Sequence, residues 1–521
     1  MVLIHAGSLL SRSAVGGLIS ALCFFFNHGE ATRVMWAPPL RETFAFPFSL
    51  VINIAVTEIL RRPRAHYSQP LYVAVASYLY LVTWQFSQYT LMVTVMAVYF
   101  LHTIELIRPL PMLLVLMGTI FGFSNCLVTL FANRLLMTSY LAGCLLALFL
   151  MYCTLENIFS WFPPPMNKTL QVTFIVLSTV AGKMELSNLF GVDEDSHVFN
   201  VIRSKFSNYS DFHTLLYTCS EEFDFLPTET VSKLSKTFLI PIVALVFGAV
   251  MANIFGKMKA GFIESLTDKN APLLPLMWRG VDPGVVYNMI MLVAYCILSS
   301  LIMRLKLFMT PQLCIVASLI TCRVYFKVLH KREVYYGLMA VMVAVMSIRG
   351  TENLLAQRSI RGEYMNPDLE ELLVWVSTDT SSTSVFAGSM STMANLMLST
   401  RRPIVNHPHY ETAEARRRTK QVYSVFSRRP PQVVYETLRD LKVNYLVLDE
   451  KWCLHKHKPG CGMLDLWDVE EPHYKNKPAL CPKLFHKSPT PFHRVFANDG
   501  YVVLQVPSKY VQIPPPKSLK S

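Results

Sequence analysis

Charge is scarce in this chain. Only 16% of its 521 residues are Asp, Glu, Lys or Arg while 52% are hydrophobic, the mean hydropathy is +0.35, and the charges avoid several long runs entirely. That shortage excludes a water-soluble fold and leaves an α-helical polytopic membrane protein. A secretory leader of the usual form is also missing, because Met1 to Leu10 has no basic n-region and Arg12 follows the apolar residues. Targeting is therefore expected to rest on the transmembrane segments. The net charge of +13 is not gathered on a basic helix or stacking platform. Nucleic acid is thereby excluded as the partner, and the scattered Lys and Arg read as orientation signals and headgroup contacts. Neither a repeat at solenoid spacing nor a pair of Gly/Pro-broken helices in matching halves is present, which argues against a transporter.

What is there is organised around Asn27-His28-Gly29-Glu30 through Arg33, Pro38-Pro39 and Arg41-Glu42, sixteen residues trapped between two apolar runs. Pro38-Pro39 denies the loop a regular helix. A cation pair on a stiff turn at the membrane edge suits a lipid-linked phosphate, and it equally suits two arginines that snorkel to headgroups.

Taken in order, crossings are expected at about 14–27 and 43–60, the second ending on Arg61-Arg62-Pro63-Arg64, a cytosolic signature that puts the 27–42 loop on the lumenal side. The apolar run 70–107 splits at the polar knot Trp84-Gln85-Phe86-Ser87-Gln88 into a hairpin. Further crossings are expected at about 111–131, 135–159, 170–181, 237–254, 285–303, 314–326 and 335–348, with a hydrophilic lumenal loop over 183–236 and a lumenal turn at Arg304 to Phe308. The total is about eleven in a transmembrane domain spanning 1–348. From Arg349 the composition becomes mixed, and strand-like runs at Thr383–Ala387, Asn444–Leu448 and Tyr501–Val506, with a helical stretch at Pro431–Leu441, predict a lumenal α/β domain over 349–506 and a disordered tail over 507–521.

Seven cysteines lie in apolar runs, while Cys219, Cys453, Cys461 and Cys481 fall on the side read as lumenal, where disulfides form in any of three connectivities. A zinc site built on Cys453, His455, His457 and Cys461 is the rival reading. The two sequons, at Asn167 and Asn208, fall on opposite sides, so Asn208 is expected to carry the glycan. Asn406-His407-Pro408-His409-Tyr410-Glu411 offers metal-ligand or acid-base types, but Pro408 should make the histidines diverge, which favours a hydrogen-bonded docking turn. Ser389 lacks a Gly-x-Ser-x-Gly context for a nucleophile.

Cys23 to Glu30 through Arg41-Glu42, Met303 to Phe308, and Val385-Phe386-Ala387-Gly388 with Asn406 to Glu411 resemble the dumpy-type protein C-mannosyltransferases, and the resemblance runs through essentially the whole chain. It implies a GT-C-type glycosyltransferase of the endoplasmic reticulum membrane (alternatively the nuclear inner membrane) with about thirteen helices and a lumenal C-terminal domain. Such enzymes transfer mannose from dolichyl phosphate mannose to indole C2 in Trp-x-x-Trp or Trp-x-x-Cys segments, as in thrombospondin repeats. The chain begins inside the family's pattern, so the acceptor-side carboxylate of the first lumenal loop is expected upstream of it. Glu30 is then the weak candidate for a base, and poor transfer by this chain alone is expected.

The implied chemistry needs cations for the departing phosphate, and Arg33, Arg41, Arg304 and Lys306 are the ones placed for it. Gln85 and Gln88 are candidates for the sugar or peptide site, or for a helix–helix hydrogen bond. No metal is required, and Asp193-Glu194-Asp195, the nearest thing to an Asp-x-Asp motif, reads as a solvated loop. A non-catalytic membrane anchor or scaffold of the same family is the alternative.

Overall fold

The computed structural model describes residues 1–31, 41–63, 66–159, 161–191, 197–207, 211–219, 221–267, 276–359, 366–409, 412–455, 460–487 and 490–507. The chain divides into two compact units, one made of Met1–Glu194 with Asp224–Gly362, the other of Asp195–Phe223 with Glu363–Ser521.

The first unit is helical. Among the described residues six helices are long and apolar enough to cross a membrane: Arg41–Arg61, Pro109–Thr129, Leu239–Ser265, Pro283–Leu301, Met303–Thr321 and Arg332–Ser359. Shorter apolar helices, Val2–Ser11, Ala14–Phe26 and Tyr140–Leu155, pack with them. Small residues allow the tightest approaches: a Cβ on Gly350 would stand 2.3 Å from Phe26 Cγ, and one on Gly17 would stand 2.4 Å from the Ile4 carbonyl oxygen. Lipid offers no hydrophobic drive between helices, so such close packing carries the association.

The helix break expected at the polar knot is present, between Ser68–Thr83 and Ser87–Thr103, with Ser87 Oγ donating to the Trp84 carbonyl. Other boundaries differ from the sequence reading. The expected crossing 135–159 is broken into a short helix Arg134–Met137, a helix Tyr140–Leu150, a π-helical turn Met151–Leu155 and the short helix Glu156–Phe159. The segment expected as 170–181 is one helix, Pro164–Phe190, because Lys183 is buried beside the Tyr140 ring rather than ending it. The loop expected from 183 therefore starts only after Phe190, and its 195–223 portion belongs to the second unit. The turn expected at Arg304 to Phe308 is helical, Met303–Leu305 running into Lys306–Ala317. The last membrane helix continues past 348 to Ser359, since polar residues at a helix end are solvated rather than helix-breaking.

The Arg41–Arg61 helix fixes the spacing of the unit. Its 21 residues span about 30 Å, the thickness of a bilayer's hydrocarbon core. At its far end Arg61, read from sequence as an orientation signal, is buried: Nε donates to Asp282 Oδ1 at 3.0 Å, and the guanidinium also reaches the Leu9 and Leu10 carbonyls. Asp282 in turn caps the Pro283–Leu301 helix by accepting from the Gly284 and Val285 amides.

Between the two ends runs a buried polar network. Asn288 Nδ2 donates to Thr57 Oγ1 at 3.0 Å, Gln312 Nε2 donates to Asn288 Oδ1 at 3.1 Å, and Asn53 Nδ2 donates to Gln312 Oε1 at 3.4 Å. Three helices are thereby held in one register.

The second unit contains a four-stranded sheet in the order β1-β2-β4-β3, with β1 Phe386–Ala387, β2 Tyr445–Asp449, β3 His493–Ala497 and β4 Tyr501–Gln505. β1 and β2 are parallel, the other pairs antiparallel. The pleat sends Leu446, Leu448, Val502 and Leu504 to one core and Val447, Tyr501 and Val503 to the other, each covered by helices. The 195–223 segment joins the first of these cores through Phe212, whose ring lies 5.1 Å from Trp467. Disulfides link Cys219 to Cys461 and Cys453 to Cys481, with Cα–Cα distances of 5.3 and 5.2 Å. The two thiolates of the rival zinc reading are thus spent in different disulfides, and its His457 lies outside the described residues.

Candidate functional site

At the N-terminal end of the Arg41–Arg61 helix two carboxylates meet the cations of the Met303 to Lys306 turn. Asn27, at the end of the Ala14–Phe26 helix, accepts at Oδ1 from Thr237 Oγ1 at 2.6 Å, and Asn353 donates to the Phe26 carbonyl at 2.9 Å. Both bonds fix the exit of that helix, which turns at once into the short helix His28–Ala31 carrying Glu30.

Glu30 is held on every side. Its Oε2 accepts from Lys306 Nζ at 2.9 Å and from Thr230 Oγ1 at 3.1 Å, Oε1 faces Lys233 Nζ at 3.4 Å, and its backbone carbonyl accepts from Thr310 Oγ1 at 3.0 Å. Burial works to raise its carboxyl; the hydrogen bond and charge of Lys306, helped by Thr230 and Lys233, outweigh this and hold the group below the usual carboxylate range. Lys233 is raised by its hydrogen bond to Glu229, against burial and with Glu30 adding to the rise. Glu42, buried in the first turn of its helix, pairs with Arg304 Nη2 at 2.5 Å.

Of the cations expected for a phosphate, Arg304 and Lys306 are therefore together with both acids, and Arg41 stands beside Glu42 in the same helical turn. Arg33 lies outside the described residues, as does Asn208. Thr230, Lys233 and Thr310 were not singled out from sequence; the local Glu229–Lys233 pair is visible at i,i+4, but nothing in the chain places it against a carboxylate 200 residues away.

An aromatic stack ties the 84–86 break to this turn. Trp84 lies on Phe308 at 5.8 Å and 15°, and Phe308 on Tyr295 at 5.3 Å and 25°. Gln85 is exposed, while Gln88 Oε1 is buried without a hydrogen-bond partner among the described residues. Below the stack is a cavity of about 20 Å³ lined by Asn53, Thr94, Tyr287, Tyr295, Phe308 and Gln312. It has room for about one water molecule.

In the second unit the Asn406 amide pairs with Gly388, donating to its carbonyl at 2.8 Å and accepting from its amide at 3.4 Å. The His407 and His409 rings do not diverge as expected around Pro408. They touch at 4.6 Å, because the His409 amide donates to His407 Nδ1 at 3.0 Å and folds the turn back on itself. Tyr410 and Glu411 lie outside the described residues. Ser389 Oγ donates to Thr392 Oγ1 at 2.8 Å, and Thr392 donates to Asp449 Oδ2 at 3.4 Å.

Comparison with known proteins gives concordant matches. The family described as "Dpy19: Q-cell neuroblast polarisation" matches residues 1–506. The chain is 39% identical over 502 residues to a rat protein named protein C-mannosyl-transferase DPY19L1, covering 96% of this chain and 66% of the rat one. It is 39% identical over 509 residues to the human protein of that name, with coverages of 96% and 73%. To the Caenorhabditis elegans C-mannosyltransferase dpy-19 it is 35% identical over 523 residues, again covering 96% of this chain and 73% of the relative. The chain thus spans about two thirds of the length of these curated relatives. Among solved structures, the Archaeoglobus fulgidus oligosaccharyltransferase AglB, solved with an inhibitory peptide and a dolichol-phosphate, matches with a TM-score of 0.50 at 11% identity, over 86% of this chain and 59% of that one. At that identity the likeness concerns the fold alone, a multi-span GT-C-type architecture with a C-terminal α/β domain.

Proposed function

Because this chain belongs to the Dpy19 family, we propose that it carries the donor-lipid site of a tryptophan C-mannosyltransferase, taking mannose from dolichyl phosphate mannose to indole C2 in Trp-x-x-Trp or Trp-x-x-Cys segments of secretory proteins. The C1–O bond of the mannosyl phosphate breaks and a C1–C2 bond to the indole forms. The indole C2 proton goes to a carboxylate, and dolichyl phosphate leaves. Negative charge gathers on the phosphate as it departs, so the protein's task there is to present fixed cations. The observation that carries the reading is the turn Met303 to Lys306, which sets Arg304 and Lys306 at one end of a helix of bilayer length, beside Arg41. This chemistry needs no metal.

In this reading the protein resides in the endoplasmic reticulum membrane with its C-terminal unit in the lumen. Two disulfides within that unit support an oxidising compartment. A non-catalytic scaffold is the second reading, and it is favoured by Glu30 and Glu42 both being engaged by cations. The test is the purified chain in lipid nanodiscs with dolichyl phosphate mannose and a Trp-x-x-Trp peptide. A gain of one hexose on the first tryptophan, located by fragmentation mass spectrometry, supports the transferase. Tight binding of the donor with no product supports the scaffold.

A further inference from the structure

The donors that a lipid phosphate would use are already occupied by an anion of the protein's own. Glu30 presents two oxygens to Lys306, Lys233 and Thr230 within 2.9–3.4 Å, and the Glu30 and Lys306 side chains are only 13% and 17% exposed. Lys233 is different: half of its side chain is exposed, and it also holds Glu229 at 2.9 Å. Two ammonium groups and a hydroxyl around one carboxylate are the kind of donors that the oxygens of a phosphate group take, and the two anions cannot share Lys306 at full strength in so enclosed a place.

We infer that Glu30 is an internal competitor for the phosphate of the lipid donor, holding Lys306 while the site is empty and giving it up, while keeping Lys233 and Thr230, when an isoprenyl phosphate enters. The inference rests on the donor-site reading above. Two consequences follow from the geometry. The cations are held in position without ligand, because Glu30 itself is tied down by Thr310 through its backbone. The affinity for phosphate is also held down, which favours release of the dolichyl phosphate product, whose charge exceeds that of the donor.

A positioning role for Glu30 predicts the opposite response to neutralisation, so one set of variants decides. Binding of dolichyl phosphate to the full chain in nanodiscs is measured for the wild type, Glu30→Gln, Glu30→Asp and Lys306→Met, with inorganic phosphate in a parallel arm. Competition predicts that Glu30→Gln tightens dolichyl phosphate binding about ten-fold, in the usual range for coupling between two ligands of one protein. It also predicts that Glu30→Asp, which keeps the charge, stays nearer the wild type, and that Lys306→Met weakens binding. Thermal unfolding of each variant verifies that it is folded. Binding that Glu30→Gln leaves unchanged or weakens overturns the exchange while leaving the phosphate site standing. No saturable binding by any of the proteins overturns the site itself, and the exchange with it. Inorganic phosphate binding as tightly as the lipid would assign the anion to a free phosphate and overturn the lipid assignment.

Discussion

Asp449 shows how far a single side chain's setting departs from what its neighbours in sequence suggest. It ends β2, accepts from the Lys451 amide at 3.0 Å as a helix cap, and receives the Thr392 hydroxyl at 3.4 Å. Burial raises its pKa, and the bonds from Lys451 and Thr392 offset this only in part. A carboxyl raised by folding is more easily kept protonated in the native state, so stability falls as pH rises from below the unfolded value through the folded one and stays lower above it. Asparagine keeps both the cap and an acceptor for Thr392 without the charge. Asp449→Asn should therefore match the wild type in thermal unfolding below the unfolded carboxylate pKa and exceed it at neutral pH. A lower melting temperature for the variant at pH 7 would show that the charge itself is needed there. Glu30 has the reverse sign: its depressed pKa lends stability at neutral pH that is lost on acidification.

At the scale of elements, legibility followed the strength of the local signal. The hairpin over 68–103 was readable because a polar knot inside an apolar run has few other uses, and β2 and β4 because both faces are buried and the runs are continuously apolar. β3 was not readable, since His493–Ala497 is an edge strand with His493, Arg494 and Val495 exposed, and its residues carry no period-two pattern. The polar network is another case. Asn53, Thr57, Asn288 and Gln312 lie one to a helix or two to a helix within apolar runs, and only the packing reveals that they bond to one another. Removing Asn288 strips partners from both Thr57 and Gln312, so Asn288→Ala should destabilise the protein by roughly 1 kcal/mol, the scale of interhelical hydrogen bonds in membranes. Thermal unfolding in detergent checks this. A change indistinguishable from that of an exposed helix position would show that the network orders the helices without stabilising them.

The candidate site was legible as residue types but not as pairs. Arg304, Lys306, Glu30 and Glu42 all stood out in the chain, whereas their union depends on bringing together segments more than 250 residues apart.

The whole molecule poses a question of sides, and the two sequons test it. Asn167 lies in the first turn of the Pro164–Phe190 helix, where its side chain accepts from Gln171 at 2.8 Å. The 27 residues of that helix extend about 40 Å, more than the hydrocarbon core of a bilayer, so its two ends can stand on opposite faces of a membrane. Beyond its far end the chain enters the 195–223 segment, which carries the Asn208 sequon and is tied to the C-terminal unit by the Cys219–Cys461 disulfide. A disulfide joins only groups in one compartment, and an oxidising one is where both it and N-glycosylation arise. In the reading proposed above, Asn208 and the C-terminal unit share the lumen and Asn167 faces the cytosol. Treatment of the cell-derived protein with a glycosidase should shift its mobility by one glycan, Asn208→Gln should abolish that shift, and Asn167→Gln should leave it intact. A glycan on Asn167 instead would put the charged turn of Arg304 and Lys306 on the wrong face for a lumenal transfer, and with it the donor site proposed for this chain.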